Sequence, residues 1–496
     1  MSRLVMLVFF LISILTANSL CARGIEKKRS EEPQESSKSL DLAINGYGIS
    51  FGNSRRFRGL RLNFIDSNVE EVIGVNITFW KPKRNPDAVI KGIAIGLYGP
   101  SAGDISFLSL GLAAVQADYS LSGIAIGGLA VVCEGDASGI TIGGLANVAG
   151  DGMSGISFGG LANVVDGDVS GITVGGLANV VDGKASGILV GGLANVVDGE
   201  FSGISGGGLA NVCDGEVSGI IAGGLATVID GDFSGIAAGG LATVCDGDVS
   251  GITVGGLANV NDGYFSGISI AGLTNVCGGY TTGISFGGLA TVADEELTGI
   301  NANGLATVAD GPIIGITVNG LATIADGSIT GVTACGLAIF STSSIEGITL
   351  TGGGVVTTSY LDGVTIGGIG LLSHDDLDDD GLNYRGISAE SARWLTVHGI
   401  DIDVENECKG LALSGISVRA GDITGAALAS ALVKGYTMHG FTAGVVNHYD
   451  DLQVGLTIGI VNYAKELHGI QLGLINIAKN KSKRFQVLPL MNANFD

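Results

Sequence analysis

Residues 171–186 read GITVGGLANVVDGKAS, and this sixteen-residue unit recurs without insertion or deletion from Gly123 to Gly363. Each unit contains two short runs of strand-forming residues, the first ending at a Gly-Gly pair and the second at an Asp-Gly pair. Runs of this length between turn signals are typical of strands. A fixed period indicates that each unit is one supersecondary element stacked on copies of itself. The sequence therefore predicts an all-β fold, a single-chain parallel β-solenoid with coils of about sixteen residues.

The repeat also predicts which side chains face inward. If each unit forms one coil, equivalent positions stack about 4.8 Å apart and become columns along the rod. In the unit quoted above, Ile172 and Val174 alternate on one face of the first strand. Leu177 and Val180 continue an apolar face after the Gly-Gly corner. We expect these aliphatic side chains to fill the interior.

One column combines asparagine and threonine. It comprises Asn147, Asn163, Asn179, Asn195, Asn211, Thr227, Thr243, Asn259, Asn275, Thr291, Thr307 and Thr323. Stacked amides and hydroxyls can hydrogen-bond from coil to coil. The column predicts an internal or corner ladder that holds the register, and a row that binds a ligand is the alternative.

A second polar column is acidic. It includes Asp166, Asp182, Asp198, Asp214, Asp230, Asp246 and Asp262. Aspartate before glycine is ordinary turn chemistry, because the aspartate bonds its own backbone and glycine accepts positive φ. Stacked carboxylates repel one another, which raised pKa values or bound cations would relieve. Calcium at these turns is one hypothesis, although the nonapeptide spacing of calcium-binding β-rolls is missing.

The same repeat permits an antiparallel interpretation. Read as one long strand per unit, with Asp-Gly as a two-residue hairpin, the array would form an antiparallel outer-membrane β-barrel. Against this interpretation, every turn is equally short and aromatic girdles are missing. The large apolar residues at positions such as Val169 and Phe201 also fall on the wrong parity for it.

The amino end predicts export. Residues 1–22 contain Arg3, an apolar run and small residues before a cleavage point, which is the pattern of a signal peptide. Residues 23–39 are polar and charged and predict a flexible leader. Residues 40–122 contain the same pattern of glycines and strand-forming runs at irregular spacing, which predicts capping coils. We expect an exported protein, at the cell surface or outer membrane or secreted.

Composition excludes some partners and any disulfide scaffold. The net charge of −23 repels nucleic acid, and 46% hydrophobic residues argue against disorder. Seven cysteines in 496 residues are too few for a disulfide framework. Cys133, Cys213, Cys245 and Cys277 occupy a column that holds valine or isoleucine in other units, so we expect buried small hydrophobic side chains.

The regular array, residues 123–368, gives way to an acidic insertion at 369–385. Within HDDLDDD, residues Asp376, Asp378 and Asp380 match the first half of a calcium loop, so they are the metal candidates. The second half is missing, because Ile387 stands where a bidentate glutamate is expected. A solvated acidic loop is the alternative. Residues 386–496 form divergent repeats and a tail.

The sequence supplies no catalytic constellation. The five histidines are spread singly between His374 and His468, and no HExxH, Cys-x-x-Cys or Gly-x-Ser-x-Gly motif occurs. We therefore assign no catalytic residue and no cofactor apart from the calcium hypothesis.

The repeats and the carboxyl end resemble a known family. GGLANV units, together with GLTIGIVNYAKELHGIQLGLINIAKNKSKRFQVLPLMN at 455–492, are similar to the bacterial surface-repeat family of tandem GxxxGLxN units with a Leu-Pro tail. The likeness covers most of the chain after about Gly92. It implies an exported, envelope-associated protein of unassigned activity, without catalytic residues to carry over. The uniform Ala-Asn/Thr core and the insertion near Asp375 depart from the family pattern.

The sequence favours a non-enzymatic, exported surface repeat protein that acts as a structural, adhesive or interaction module. Its repeated lateral faces would meet an unidentified protein or glycan at the cell surface through many weak contacts. An integral outer-membrane β-barrel is the alternative. A carbohydrate-active β-helix enzyme is a third hypothesis, which requires paired acids on one exposed face.

Overall fold

The computed structural model describes residues 38–44, 47–368, 372–373, 384–385 and 387–495, and its regular elements are all β-strands. Forty-five strands belong to one continuous sheet. The amino-terminal strands are β1 (Ser39–Ile44), β2 (Tyr47–Gly52), β3 (Arg56–Asn63), β4 (Glu71–Thr78), β5 (Val89–Gly96), β6 (Ser101–Gly111) and β7 (Ala114–Gly127).

Each regular coil contributes one short and one long strand. The short strands are β8 (Ala130–Cys133), β10 (Ala146–Ala149), β12 (Ala162–Val165), β14 (Ala178–Val181), β16 (Ala194–Val197), β18 (Ala210–Cys213), β20 (Ala226–Ile229), β22 (Ala242–Cys245), β24 (Ala258–Asn261), β26 (Thr274–Cys277), β28 (Ala290–Ala293), β30 (Ala306–Ala309), β32 (Ala322–Ala325), β34 (Ala338–Ser341) and β36 (Gly354–Thr357). The long strands are β9 (Asp136–Gly143), β11 (Gly152–Gly159), β13 (Asp168–Gly175), β15 (Ala185–Gly191), β17 (Phe201–Gly207), β19 (Val217–Gly223), β21 (Phe233–Gly239), β23 (Val249–Gly255), β25 (Phe265–Ala271), β27 (Thr281–Gly287), β29 (Leu297–Asn303), β31 (Ile313–Asn319), β33 (Ile329–Cys335), β35 (Ile345–Thr351) and β37 (Tyr360–Gly367).

The carboxyl-terminal strands are longer. They are β38 (Leu372–Ser373), β39 (Tyr384–Arg385), β40 (Ile387–Ala389), β41 (Ser391–His398), β42 (Asp401–Ser414), β43 (Ser417–Ala429), β44 (Leu432–Ala443), β45 (Val446–Ile458), β46 (Val461–Ala478) and β47 (Val487–Asn494). Strands β38 and β39 form a separate antiparallel pair.

Neighbouring coils run in the same direction and in register. Long strand β13 pairs parallel with β15, and short strand β14 pairs parallel with β16, so that Asn179 lies beside Asn195. The fold is therefore the predicted parallel β-solenoid, with about 25 turns. The antiparallel interpretation is wrong, because the Asp-Gly turns connect strands of one coil rather than the two arms of a hairpin.

A glycine column fixes the path of every long strand. Gly171 has a φ of 110° and stacks on Gly155 below and Gly187 above. A Cβ at Gly171 would lie 2.1 Å from the carbonyl oxygen of Gly155. The column is glycine because both the backbone conformation and the strand below exclude a side chain.

Both ends of the parallel stack are closed by antiparallel strands. Strand β1 pairs antiparallel with β2, and β47 pairs antiparallel with β46. Without such a strand, the last rung would present a row of unpaired backbone groups to other chains.

The interior corrects the predicted inward set. Ile172, Val174 and Val180 point outward and are half-buried or exposed, whereas Thr173 and Asn179 are buried. The inward side chains thus belong to the odd-numbered residues of this coil. The physical reason is space, since a Cβ at the inward-facing Gly175 would lie 2.2 Å from a backbone oxygen. The interior beside the Gly-Gly corner accepts only small or hydrogen-bonding side chains.

The apolar core lies at the other end of the coil, beside the Asp-Gly turn. In the coils around the middle of the rod, Val181, Val197, Phe201 and Phe233 are buried there. Equivalent side chains form two long core clusters, one from Val69 to Cys277 and the other from Ala293 to Ala464. The positions of Val169 and Phe201, which fall on the wrong parity for a barrel, therefore supply part of this core.

Candidate interaction surface

The outward side chains at the positions of Ile172 and Val174 form one continuous surface, which we call the apolar face. Parallel pairing carries these two columns through every coil from β2 to β46. The Ile172 column holds Ile49, Leu60, Val75, Ile93, Leu108, Ile124, Ile140, Ile156, Ile172, Ile188, Ile204, Ile220, Ile236, Ile252, Ile268, Ile284, Ile300, Ile316, Val332, Ile348, Val364, Leu395, Leu411, Ala426, Phe441, Leu456 and Ile470. The Val174 column is likewise free of polar side chains from Phe51 to Leu472.

The apolar face is accessible to solvent. Ile204 is 49% exposed and Phe158 is 43% exposed. The adjoining corner adds a row of exposed leucines at the position of Leu177. An exposed apolar surface of this extent is unusual for a soluble protein and is typical of an interaction site.

The Val174 column varies in size along the rod. Phe158 and Phe286 are the bulky members on either side of a shallow stretch made of Gly206, Ala222 and Ala238. We call this stretch the central dip. A Cβ added at Gly206 would meet nothing within 4 Å, and the φ of Gly206 is not positive. The fold therefore does not require glycine at this position, in contrast to the neighbouring Gly203.

The acidic turns form the opposite edge of each coil from the Gly-Gly corner. We call this the acidic edge. Asp182, Asp198 and Asp214 are exposed there in consecutive coils. Partial burial, together with the negative charge of Asp198, raises the pKa of Asp182 and of Asp214. Raised pKa values are one of the two ways in which stacked carboxylates can relieve their repulsion, and bound cations are the other.

The asparagine column is the predicted internal ladder. The Nδ2 of Asn163 donates to Oδ1 of Asn179 at 2.8 Å, and Asn179 donates to Asn195 in the same way at 2.8 Å. The ladder begins at Asn147, whose Oδ1 has no donor because Val131 stands one coil below. From Asn147 to Asn211 each buried amide donates to the next, whereas Thr227 donates to a backbone carbonyl oxygen instead. The column is buried, so it offers no accessible row for a ligand.

The cysteines are buried and free, as expected. Cys133, Cys213, Cys245 and Cys277 have no disulfide partner. Burial raises the pKa of the first three thiols to about 11. A thiol with so high a pKa is a poor nucleophile and metal ligand near neutral pH.

The predicted metal residues Asp376, Asp378 and Asp380 lie outside the described residues. Within the described part of the chain, no group of three or more His, Cys, Asp or Glu side chains is arranged to hold a metal ion. The calcium hypothesis for the insertion stays a prediction.

The described histidines do not converge on a site. His398 is buried: its Nδ1 accepts from the backbone N–H of Ile400 at 3.0 Å, and its Nε2 lies 3.1 Å from the carbonyl oxygen of Gly353. His448 stacks on Tyr463 with ring centroids 4.5 Å apart. Burial lowers the pKa of His398, so the ring is held in its neutral form.

Sequence reasoning missed a buried ion pair in the first coils. Arg61 points into the interior and contacts Asp66, while its Nη1 also donates to Asn76 at 2.7 Å. Thr78 donates to Asp66 at 2.5 Å. Burial raises the pKa of Asp66, but the charge of Arg61 and these hydrogen bonds outweigh burial and lower the pKa overall. The signal in the sequence was Arg61 itself, a charged residue at an inward-facing position between two outward-facing leucines, Leu60 and Leu62.

Two aromatic residues interrupt the glycine column at the ends of the regular array. Phe107 (φ 92°) pairs with Gly123, and Trp394 (φ 75°) pairs with Gly363. Both side chains are largely exposed, at 67% and 72%. A bulky residue with positive φ is strained, so these two positions store backbone strain.

No family model matches the chain, and comparisons with the curated proteins and with solved structures give no match. The resemblance to the bacterial surface-repeat family stays a prediction. The described part of the chain contains no helix of the length and apolarity needed to cross a membrane.

Proposed function

We propose that the chain is an exported, non-enzymatic repeat protein that acts as a structural or interaction module at the cell surface. The observation that supports this function most directly is the apolar face, which presents the same aliphatic contacts in coil after coil. Repeated weak contacts along one rod add up through multivalency without a deep pocket.

The arrangement of polar groups favours contact over catalysis. The Asn179 ladder is buried, and the carboxylates of the acidic edge lie on exposed turns. A groove of about 800 Å³ beside the carboxyl-terminal coils is lined by side chains such as Leu413, Val445 and Ile458. Its one titratable lining residue, His398, already bonds to backbone groups on both ring nitrogens.

The proposal is tested by weakening the apolar face without changing strand propensity. Replacing Ile156, Ile172, Ile188 and Ile204 together with threonine keeps β-branched side chains at outward positions. The matched control replaces the outward serines of the same coils, Ser154, Ser170, Ser186 and Ser202, with threonine. Fractionation of producing cells measures how much protein stays bound to the surface and how much enters the medium.

We expect the isoleucine variant to move into the medium while the serine variant is retained like the unaltered chain. Equal retention of both variants, with circular dichroism showing both folded, would contradict a role for the apolar face in the function.

A further inference from the structure

The size of the apolar face matches the requirement of a stable protein pair. About 25 turns at roughly 4.8 Å per turn give a length on the order of 120 Å. Two columns about 7 Å apart give a width of about 10 Å. The resulting area is on the order of 1,200 Å² for the whole face and on the order of 900 Å² for the coils from Phe51 to Ala334, which overlap in a pair centred on Val190. Both exceed the roughly 800 Å² that each partner buries in a standard interface.

Charge disfavours an anionic lipid surface as the partner of the apolar face. The chain carries a net charge of −23, which repels anionic headgroups. A two-fold axis that lies in the plane of the apolar face, perpendicular to the rod, brings the two faces together antiparallel and leaves both acidic edges on one side of the pair. The pairing should therefore strengthen as salt screens the repulsion between the two acidic edges.

The bulky and small members of the Val174 column complement each other about Val190. Phe158 lies two coils before Val190 (190 − 158 = 32 residues) and Ala222 lies two coils after it (222 − 190 = 32 residues). One coil from the centre, Val174 is the counterpart of Gly206. Three coils out, Ile142 is the counterpart of Ala238.

A centre at Val254 pairs the column less well. About that centre Phe286 is the counterpart of Ala222, but Gly206 is the counterpart of Ala302. Two small residues facing each other leave a gap, which forfeits packing contacts. The pattern therefore favours Val190 over Val254.

We propose that the apolar face pairs with the same face of a second copy of this chain, antiparallel about a two-fold axis at Val190, with each Phe158 seated in the central dip of the other copy. This inference rests on the proposed function and names its partner, a copy of the chain that is itself held at the cell surface. The pairing is isologous, so it closes at two copies.

Sedimentation of the full-length secreted chain over a concentration series tests the stoichiometry. We expect a mass twice that of one chain. Ala222→Phe places a second phenylalanine opposite Phe158 and should weaken the pairing at least tenfold. The monomer tolerates this substitution, because the same column carries phenylalanine in other coils. Ile366→Ala, in the same column but beyond the overlap that ends at Ala334, should change the dissociation constant less than threefold.

Cross-linking tests the register. Val190→Cys lies on the proposed axis, so a short bis-maleimide should join two copies, whereas Val254→Cys should remain uncoupled. The native described cysteines are buried and do not compete. Coupling through position 254 alone overturns the axis at Val190.

A monomer at all concentrations overturns the pairing altogether. So does capture of the monomer by neutral phosphatidylcholine vesicles through the apolar face, since the occupant would then be lipid. In both cases, loss of surface retention in the isoleucine variant would leave the proposed function standing with another partner. If the unaltered chain is monomeric and the isoleucine variant is retained at the surface as well as the serine variant, both proposals are rejected.

Discussion

The asparagine ladder gives the sharpest test of how the rod holds its register. Asn179 accepts a hydrogen bond from Asn163 and donates to Asn195 and to the carbonyl oxygen of Val190, at 2.8, 2.8 and 2.9 Å. Leucine at position 179 breaks all three bonds in a buried site. At about 1–2 kcal/mol for each bond broken with a partner left behind, Asn179→Leu should cost about 3–6 kcal/mol.

The chain supplies its own matched control, because threonine occupies the same column in other coils. Thr227 donates to the carbonyl oxygen eleven residues further on, at Ala238, at 2.7 Å. Asn179→Thr should keep the equivalent bond to Val190 and cost about 1–2 kcal/mol.

Urea unfolding compares the two variants at the same protein concentration. Because repeat proteins need not unfold in one step, the readout is the shift of the first transition, with hydrogen exchange locating the coils that open. We expect the leucine variant to open around Asn163 and Asn195 at lower urea. Equal midpoints for the leucine and threonine variants would refute the claim that the ladder holds the register.

Three further predictions follow from backbone conformation and charge. Gly203→Ala should lower the free energy of unfolding by about 2 kcal/mol or more, because the φ of Gly203 is 135° and a Cβ would lie 2.1 Å from a backbone oxygen. Gly206→Ala should be neutral or should stabilise the fold by up to about 1 kcal/mol. Urea unfolding curves of the two variants compare these effects. Trp394→Gly should leave the melting temperature equal or higher, because glycine relieves the positive φ. The lowered pKa of Asp66 stabilises the fold above the unfolded-state pKa, and this contribution is lost as pH falls through the folded-state pKa; Asp66→Asn should flatten that acid dependence of the urea midpoint.

The period and the direction of the strands were predictable, because they depend on spacing alone. An uninterrupted sixteen-residue repeat with two turn signals leaves few ways to stack, and the parallel stack is confirmed. The Asn179 ladder was predictable for the same reason, since identical positions in a parallel stack become neighbours.

The parity of the strands was predicted wrongly, and the cause is instructive. Hydrophobic periodicity identifies the residues that share a face but assigns that face to the core by their apolar character. Here the coil is too narrow beside Gly175 for aliphatic side chains, so Ile172 and Val174 face out. The core is formed instead at the position of Val169 and Phe201, where the residue type varies from repeat to repeat.

The hydrogen-bond network of Arg61 and Asp66 was not predictable from the repeat pattern. It occurs in coils of irregular length, where the loop carrying Asp66 folds back under β3 and β4. Only the three-dimensional path of that loop brings the carboxylate beneath the guanidinium.

The outward isoleucines and valines call for an explanation that folding alone does not supply. Strand propensity accounts for β-branched residues at these positions, but threonine would meet it equally well and would be better solvated. Propensity also does not account for the corner leucines at the position of Leu177 or for Phe158. Since these side chains contribute little to the interior, their apolar character is best explained by what lies outside the rod. The alternation of Phe158 with the central dip restricts the choice of partner further. A fluid lipid surface requires no pattern of bulky and small side chains, whereas an identical protein face can pack against such a pattern.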